Sequence, residues 1–190
     1  MWGGSSLGRE VGGVREFNLI ATCPRGAELS AIYDLRVLLE ELGDKEADAW
    51  ESGVSGLILA KTSLDPIEVV ERARALVRRE PWKAGALKRL IPIQRSVAAS
   101  VDEIVAAAAE LAHLIEEGEK FRVTVEKRHT QLSSREIIFK VAELFDQKVD
   151  LEKPDKVVLV EVVGPVAGVS VIKPSQLVSL EKEKLQPQNE

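Results

Sequence analysis

Val54-Ser-Gly-Leu-Ile-Leu-Ala-Lys61, followed by Thr62-Ser-Leu-Asp65 and Pro66-Ile-Glu-Val-Val-Glu-Arg-Ala-Arg-Ala-Leu-Val77, is the stretch that decides the fold. The first part is a short apolar run opening after the Ser52-Gly53 turn, the pattern of a buried strand. The second part starts a helix with several independent marks. Asp65 stands at the N-cap and Pro66 takes the first helical position, where a missing N–H costs nothing. Glu68 falls three residues after the cap, completing a capping box. Val69, Val70, Ala73, Leu76 and Val77 then give a buried stripe, and Pro81 stops the helix.

The pattern extends outward in both directions. Upstream, Phe17–Cys23 is an apolar run halted by Pro24-Arg-Gly26, which predicts a strand and a turn. Leu29, Ile32, Tyr33, Val37 and Leu38 fall at helical spacing between residues 29 and 42, and Gly43 ends that amphipathic helix. Ala47–Glu51 reads as a short edge strand. Downstream, Lys88–Val97 is strand-like, and Pro92, which cannot donate to a ladder, predicts an edge position. Strand, helix, strand, strand, helix, strand is the order of a ferredoxin-like unit. The expected class is α/β (α+β), with a ferredoxin-like domain over residues 15–97 behind a flexible Gly- and Ser-rich lead-in at 1–14.

The second half repeats the helix-start chemistry. Ser100 and Glu103 form an S-x-x-E box ahead of Ile104, Val105, Ala108, Leu111, Ala112 and Ile115, and Gly118 closes the helix. Phe121–Lys127 alternates strictly, with Phe121, Val123 and Val125 on one face and Arg122, Thr124 and Glu126 on the other. Ser133 and Glu136 open one more helix, with Ile137, Ile138, Val141, Leu144 and Phe145 inward. Val157–Val163 and Ala167–Ile172 are β-branched runs around the Gly164-Pro165 turn. Residues 98–176 are expected to form a second domain, and 177–190 a polar tail.

Composition narrows the function. The chain has 190 residues, 45% hydrophobic and 30% charged, as in a globular protein. No apolar run is long enough for a membrane span, no secretory signal is visible, and the single cysteine, Cys23, excludes an intramolecular disulfide. Together these point to the cytoplasm. The net charge of −5 is unevenly spread: residues 28–51 are acidic and residues 72–95 basic. Two readings stand for these runs, solvated helix faces that pack together or a local field that attracts a polyanion.

A catalytic constellation is missing from the sequence. His113 sits in a helical segment and His129 in a basic one, and no H-x-x-x-H or H-x-H pair would hold a metal. Gly53-Val-Ser-Gly56 lacks the Gly-Lys-Ser/Thr ending of a Walker loop, and no G-x-G-x-x-G opens a helix. Neither cofactor nor metal is expected, and the chain reads as a binder rather than an enzyme. An acyl-phosphate hydrolase using Arg25 in the first loop and a protein scaffold that never touches RNA stay as alternatives.

The favoured cluster is Lys120, Arg122, Lys127, Arg128, His129, Arg135 and Lys140, joined by Ser133 at a helix start and by Lys88 and Arg95 from the basic run. A strand end, a basic loop and a helix N-terminus can converge on a phosphate. Such contacts position a nucleic acid without reading its sequence. Glu119, Glu126, Glu136 and Glu143 are interspersed, so ordinary surface charge is the competing account.

Several ordered motifs carry a resemblance. Lys120-Phe-Arg-Val-Thr-Val-Glu-Lys-Arg-His129, Leu132-Ser-Ser-Arg-Glu-Ile137, Lys148-Val-Asp-Leu-Glu-Lys-Pro-Asp155, Val158-Leu-Val-Glu-Val162 and Gly168-Val-Ser-Val171 resemble the C-terminal motif series of THUMP domains. Within that family the series is most similar to the stand-alone adaptor type, which serves an RNA cytidine acetyltransferase acting on tRNA, and Ile91-Pro-Ile-Gln94, just ahead of it, is similar to the same family. The resemblance implies a ferredoxin-like domain followed by a THUMP domain, together gripping tRNA. Lys127, Arg128, Ser133 and Arg135 match the family's basic loop and helix start. It further implies a non-catalytic adaptor for cytidine N4-acetylation, with no DNA and no membrane partner.

Overall fold

The computed structural model describes residues 10–11 and 13–186, so most of the lead-in expected at 1–14 lies outside the described residues. In chain order the elements are β1 (Glu10–Val11), β2 (Val14–Arg15), β3 (Leu19–Thr22), α1 (Glu28–Glu41), β4 (Asp48–Glu51), β5 (Leu57–Lys61), α2 (Pro66–Arg79), β6 (Arg89–Pro92) and β7 (Arg95–Ala98). There follow α3 (Val101–Glu110), β8 (Lys120–Arg128), α4 (Ser134–Ala142), β9 (Lys148–Val149), β10 (Lys156–Val163), β11 (Val166–Ile172), β12 (Val178–Ser179) and α5 (Leu180–Glu183).

The first sheet runs β12-β6-β3-β5-β4, antiparallel throughout. Without β12, this is the fourth, first, third and second strand of the six-element unit, the ferredoxin-like order. Helix α2 starts where its cap predicts: the Asp65 carboxylate accepts from Glu68 N–H at 2.9 Å. Glu68 turns its own carboxylate to Arg72, 3.3 Å away. On α1 the expected stripe is corrected. Ala31, Leu35, Leu38 and Leu39 face the core, while Leu29, Tyr33 and Val37 point to solvent.

The second sheet runs β7-β11-β10-β8-β9, with the β10–β11 hairpin antiparallel and β8 parallel to β10. Helices α3 and α4 cover one face, where Ile104, Phe121, Ile137, Val141 and Val160 share a core. The other face meets the first sheet. Ile20, Leu59, Ile91 and Ile93 interlock there with Val157, Leu159, Val163 and Ile172. Gly168 is needed at this contact, since a Cβ on it would lie 2.7 Å from the Ile93 Cδ1.

Two expectations fail for one reason: long-range pairing is invisible to local pattern. The single edge strand expected over Lys88–Val97 is two strands in two sheets. The chain crosses between them at Ile93 and Gln94, where Gln94 N–H donates to Ser170 Oγ at 3.0 Å and Val171 N–H donates to Gln94 Oε1 at 2.7 Å. The polar tail expected from residue 177 returns to the first sheet. Val178 pairs with Leu90, and Leu180 is fully buried, so the tail ends the ferredoxin-like sheet with a strand and a short helix. No helix among the described residues is long and apolar enough to cross a membrane.

Candidate nucleic-acid interface

The nine-residue β8 carries the predicted cluster, and its pleat divides it. Phe121, Val123 and Val125 turn to the helices, whereas Thr124, Glu126 and Arg128 line a recess on the side of the first sheet. The alternation predicted for the strand therefore holds through Arg128. Lys127 takes the helix side, and its Nζ donates to the Leu132 carbonyl at 2.7 Å, bracing the loop that leads into α4. His129 turns the chain out of the strand at a φ of 54°, a left-handed conformation uncommon for a side chain with a Cβ. Ser133 caps α4, accepting from Glu136 N–H at 3.2 Å. Arg135 is exposed, and its side chain forms no hydrogen bond or ion pair among the described residues.

Arg128 is anchored from below. Its Nη1 lies 3.1 Å from the Oε2 of Glu161, which is only 3% exposed between the two sheets. Burial pushes the Glu161 carboxyl up to about 7, against the opposing pull of Arg128. The Arg128 charge is thus fixed in direction by a partner that neutralises it only in part near neutral pH.

The other predicted residues are placed elsewhere. Lys120 and Arg122 lie at the opposite end of β8, about 20–26 Å from Arg128 at the usual rise per strand residue. There Lys120 faces Asp150 at 3.3 Å, and Arg122 Nη1 donates to the Leu151 carbonyl at 3.1 Å. Lys140 pairs with Glu136 at 3.2 Å, Lys88 with Glu181 at 3.5 Å and Arg95 with Glu110 at 2.7 Å. The basic run on α2 is likewise absorbed: Arg74 and Arg78 hold Glu183 at 3.5 and 2.5 Å, and Lys83 holds Glu41 at 2.7 Å. For that run the packing account prevails.

Residues outside the predicted cluster complete the basic surface at the seam between the sheets. One recess there, of about 280 Å³, takes Arg89 from β6 and Lys182 from α5 beside Thr124, Arg128 and Glu161. A neighbouring recess brings Arg25 and Ser55 of the ferredoxin-like loops against Arg128 and His129. The side chains of Arg25, Arg89 and Lys182 neither donate a hydrogen bond nor form an ion pair among the described residues. Arg25 was singled out in the sequence for different chemistry. Arg89 belongs to the basic run of residues 72–95 and Lys182 to the expected polar tail, and it is the strand pairing of β12 with β6 that brings them together here.

Comparison with known proteins follows from this geometry. The THUMP domain family model matches residues 98–172, and this part of the chain is a THUMP domain, a module that points to RNA binding in tRNA modification. No curated protein matches the sequence. Among solved structures, PH1313 from Pyrococcus horikoshii Ot3 shares the fold at a TM-score of 0.54 and 23% identity, covering 83% of this chain and 55% of that one. TrmN from Thermus thermophilus gives a TM-score of 0.54 and 20% identity over 82% of this chain and 45% of its own. The "possible methylase" of Clostridium difficile 630 gives 0.52 and 16% over 82% and 40%. The chain therefore spans about half the length of these proteins, and the fold it shares with them is found in one described as a possible methylase. That overturns the expectation that the protein is not an enzyme.

Proposed function

We propose that the chain, through its THUMP domain and the adjoining ferredoxin-like sheet, binds tRNA and presents it to a base-modifying centre, in the same protein or docked to it. The observation that supports this most is the seam. Arg25, Arg89 and Lys182 from one domain gather around Arg128 and His129 from the other, and Arg135 is exposed in the first turn of α4, beyond the loop that leaves β8. A phosphate chain laid along the seam meets cations from both halves. Recognition of this kind is by shape and backbone, as suits an RNA helix whose major groove is too deep to read. Within this reading the modification served is cytidine N4-acetylation, which the β8 and α4 motifs favour through their family resemblance, and the place is the cytoplasm.

Fluorescence anisotropy with labelled total tRNA tests the binding step. Affinity should exceed that for a DNA duplex of equal charge, and Arg135→Ala should weaken it roughly three- to tenfold, about 1 kcal/mol. Equal affinity for the DNA duplex, or for the variant, would refute the surface. The acetylation step is tested separately, by whether removal of the gene abolishes N4-acetylcytidine in tRNA.

A further inference from the structure

Helix α1 carries two apolar stripes, and the fold uses one of them. Ala31, Leu35, Leu38 and Leu39 are buried, while Leu29, Tyr33 and Val37, one helical turn apart from each other, are 75%, 69% and 41% exposed. The turn at Pro81–Ala84 runs beside the same helix, held by the Lys83–Glu41 ion pair and by Ala86 N–H donating to Asp34 Oδ2 at 2.8 Å. Trp82, in that turn, is 71% exposed. Exposed apolar side chains grouped on one helix face among polar groups mark an interaction site.

Charge selects the occupant. Glu40, Glu46 and Glu51 are exposed, and their side chains form no hydrogen bond or ion pair among the described residues. Arg36 is taken by Asp48, which leaves Lys45 as the only other cation in residues 28–51. A polyanion is repelled from a segment with this excess of unpaired carboxylates. A second copy meeting this one about a two-fold axis would set the same acidic helix against itself. We propose that α1 docks a protein partner whose contact face is apolar at its centre and edged with Lys and Arg. The placement rests on the RNA-binding reading: Glu28, at the start of α1, accepts from Gly56 N–H at 2.6 Å, tying the helix to the loop that faces Arg128 and His129. A partner seated on the strip then abuts the RNA path, where a modifying centre has to reach.

Three labelled helical peptides of equal length, made of Leu with Lys, Leu with Gln, and Leu with Glu, serve as probes for the full chain in anisotropy titrations. The Leu/Lys peptide should bind at least tenfold tighter than the Leu/Gln peptide, and the Leu/Glu peptide should not bind. Leu29→Ser/Tyr33→Ser, both at exposed positions, should weaken Leu/Lys binding about tenfold and leave tRNA affinity unchanged; Glu40→Gln/Glu46→Gln should weaken it as well. Binding of the Leu/Glu peptide, or Leu/Lys binding unaltered in the serine variant, overturns the proposal. So does a loss of tRNA affinity in that variant, which would make the strip an RNA surface, or a dimer that the variant dissociates. Failure of the wild type to bind tRNA, with peptide selectivity intact, counts against the RNA reading and for the docking face.

Discussion

Glu161 occupies the interior position between Leu159 and Val163 along β10, where its neighbours belong to the core between the sheets. Burial favours its neutral form, so the folded carboxyl holds its proton to about pH 7, against an ordinary value of 4.5. The native state then binds more protons than the unfolded chain between those limits. Its contribution is complete below pH 4.5 and is lost as pH rises to about 7, by on the order of 3 kcal/mol. Urea titrations across that range should show the loss in the wild type relative to Glu161→Gln, and parallel curves for the two proteins would contradict it. Arg128→Ala removes a charged hydrogen bond and should lower stability by about 1.5–3 kcal/mol, readable from the same titrations at pH 7. Simple truncation of the basic loop therefore disturbs folding as well as binding. The sequence shows Arg128 as one more exposed cation. It hides Glu161 as its partner, because the pairing depends on the register of β8 against β10, which sets Glu161 opposite Glu126.

Helix starts were the most legible elements, since a cap is a property of a few adjacent residues. Asp65, Ser100 and Ser133 each accept a backbone N–H three residues on. Ser133→Ala should cost about 1 kcal/mol, measured by thermal or urea unfolding, with a matching loss in α4. Which face of a helix is buried was less legible. On α1 both Leu29-Tyr33-Val37 and Leu35-Leu38-Leu39 satisfy helical spacing, and only the sheet decides between them. The contact between the sheets was not legible at all. Gly168 would be tolerated as Ala in an exposed strand, yet here its Cβ would meet the fully buried Ile93. Gly168→Ala should destabilise by about 1–3 kcal/mol through overpacking. Ile93→Val in that background should recover part of the loss; additive costs would place the clash elsewhere.

At the scale of the whole molecule, two sheets joined face to face turn two ordinary surfaces into one basic seam. The domain types were readable, one from element order and the other from its motif series. Their joint was not, because β12 and the crossing at Gln94 follow from pairings that span much of the chain. The central claim is that cations from both domains contact the same RNA backbone. The direct test is the salt dependence of tRNA affinity for the wild type and for Arg25→Ala/Arg89→Ala/Lys182→Ala, all of which leave Arg128 and its buried partner in place. The account predicts weaker binding and a log–log slope shallower by roughly 0.9 for each phosphate that the variant no longer neutralises. An unchanged affinity and slope, in a variant as stable as the wild type, would contradict it.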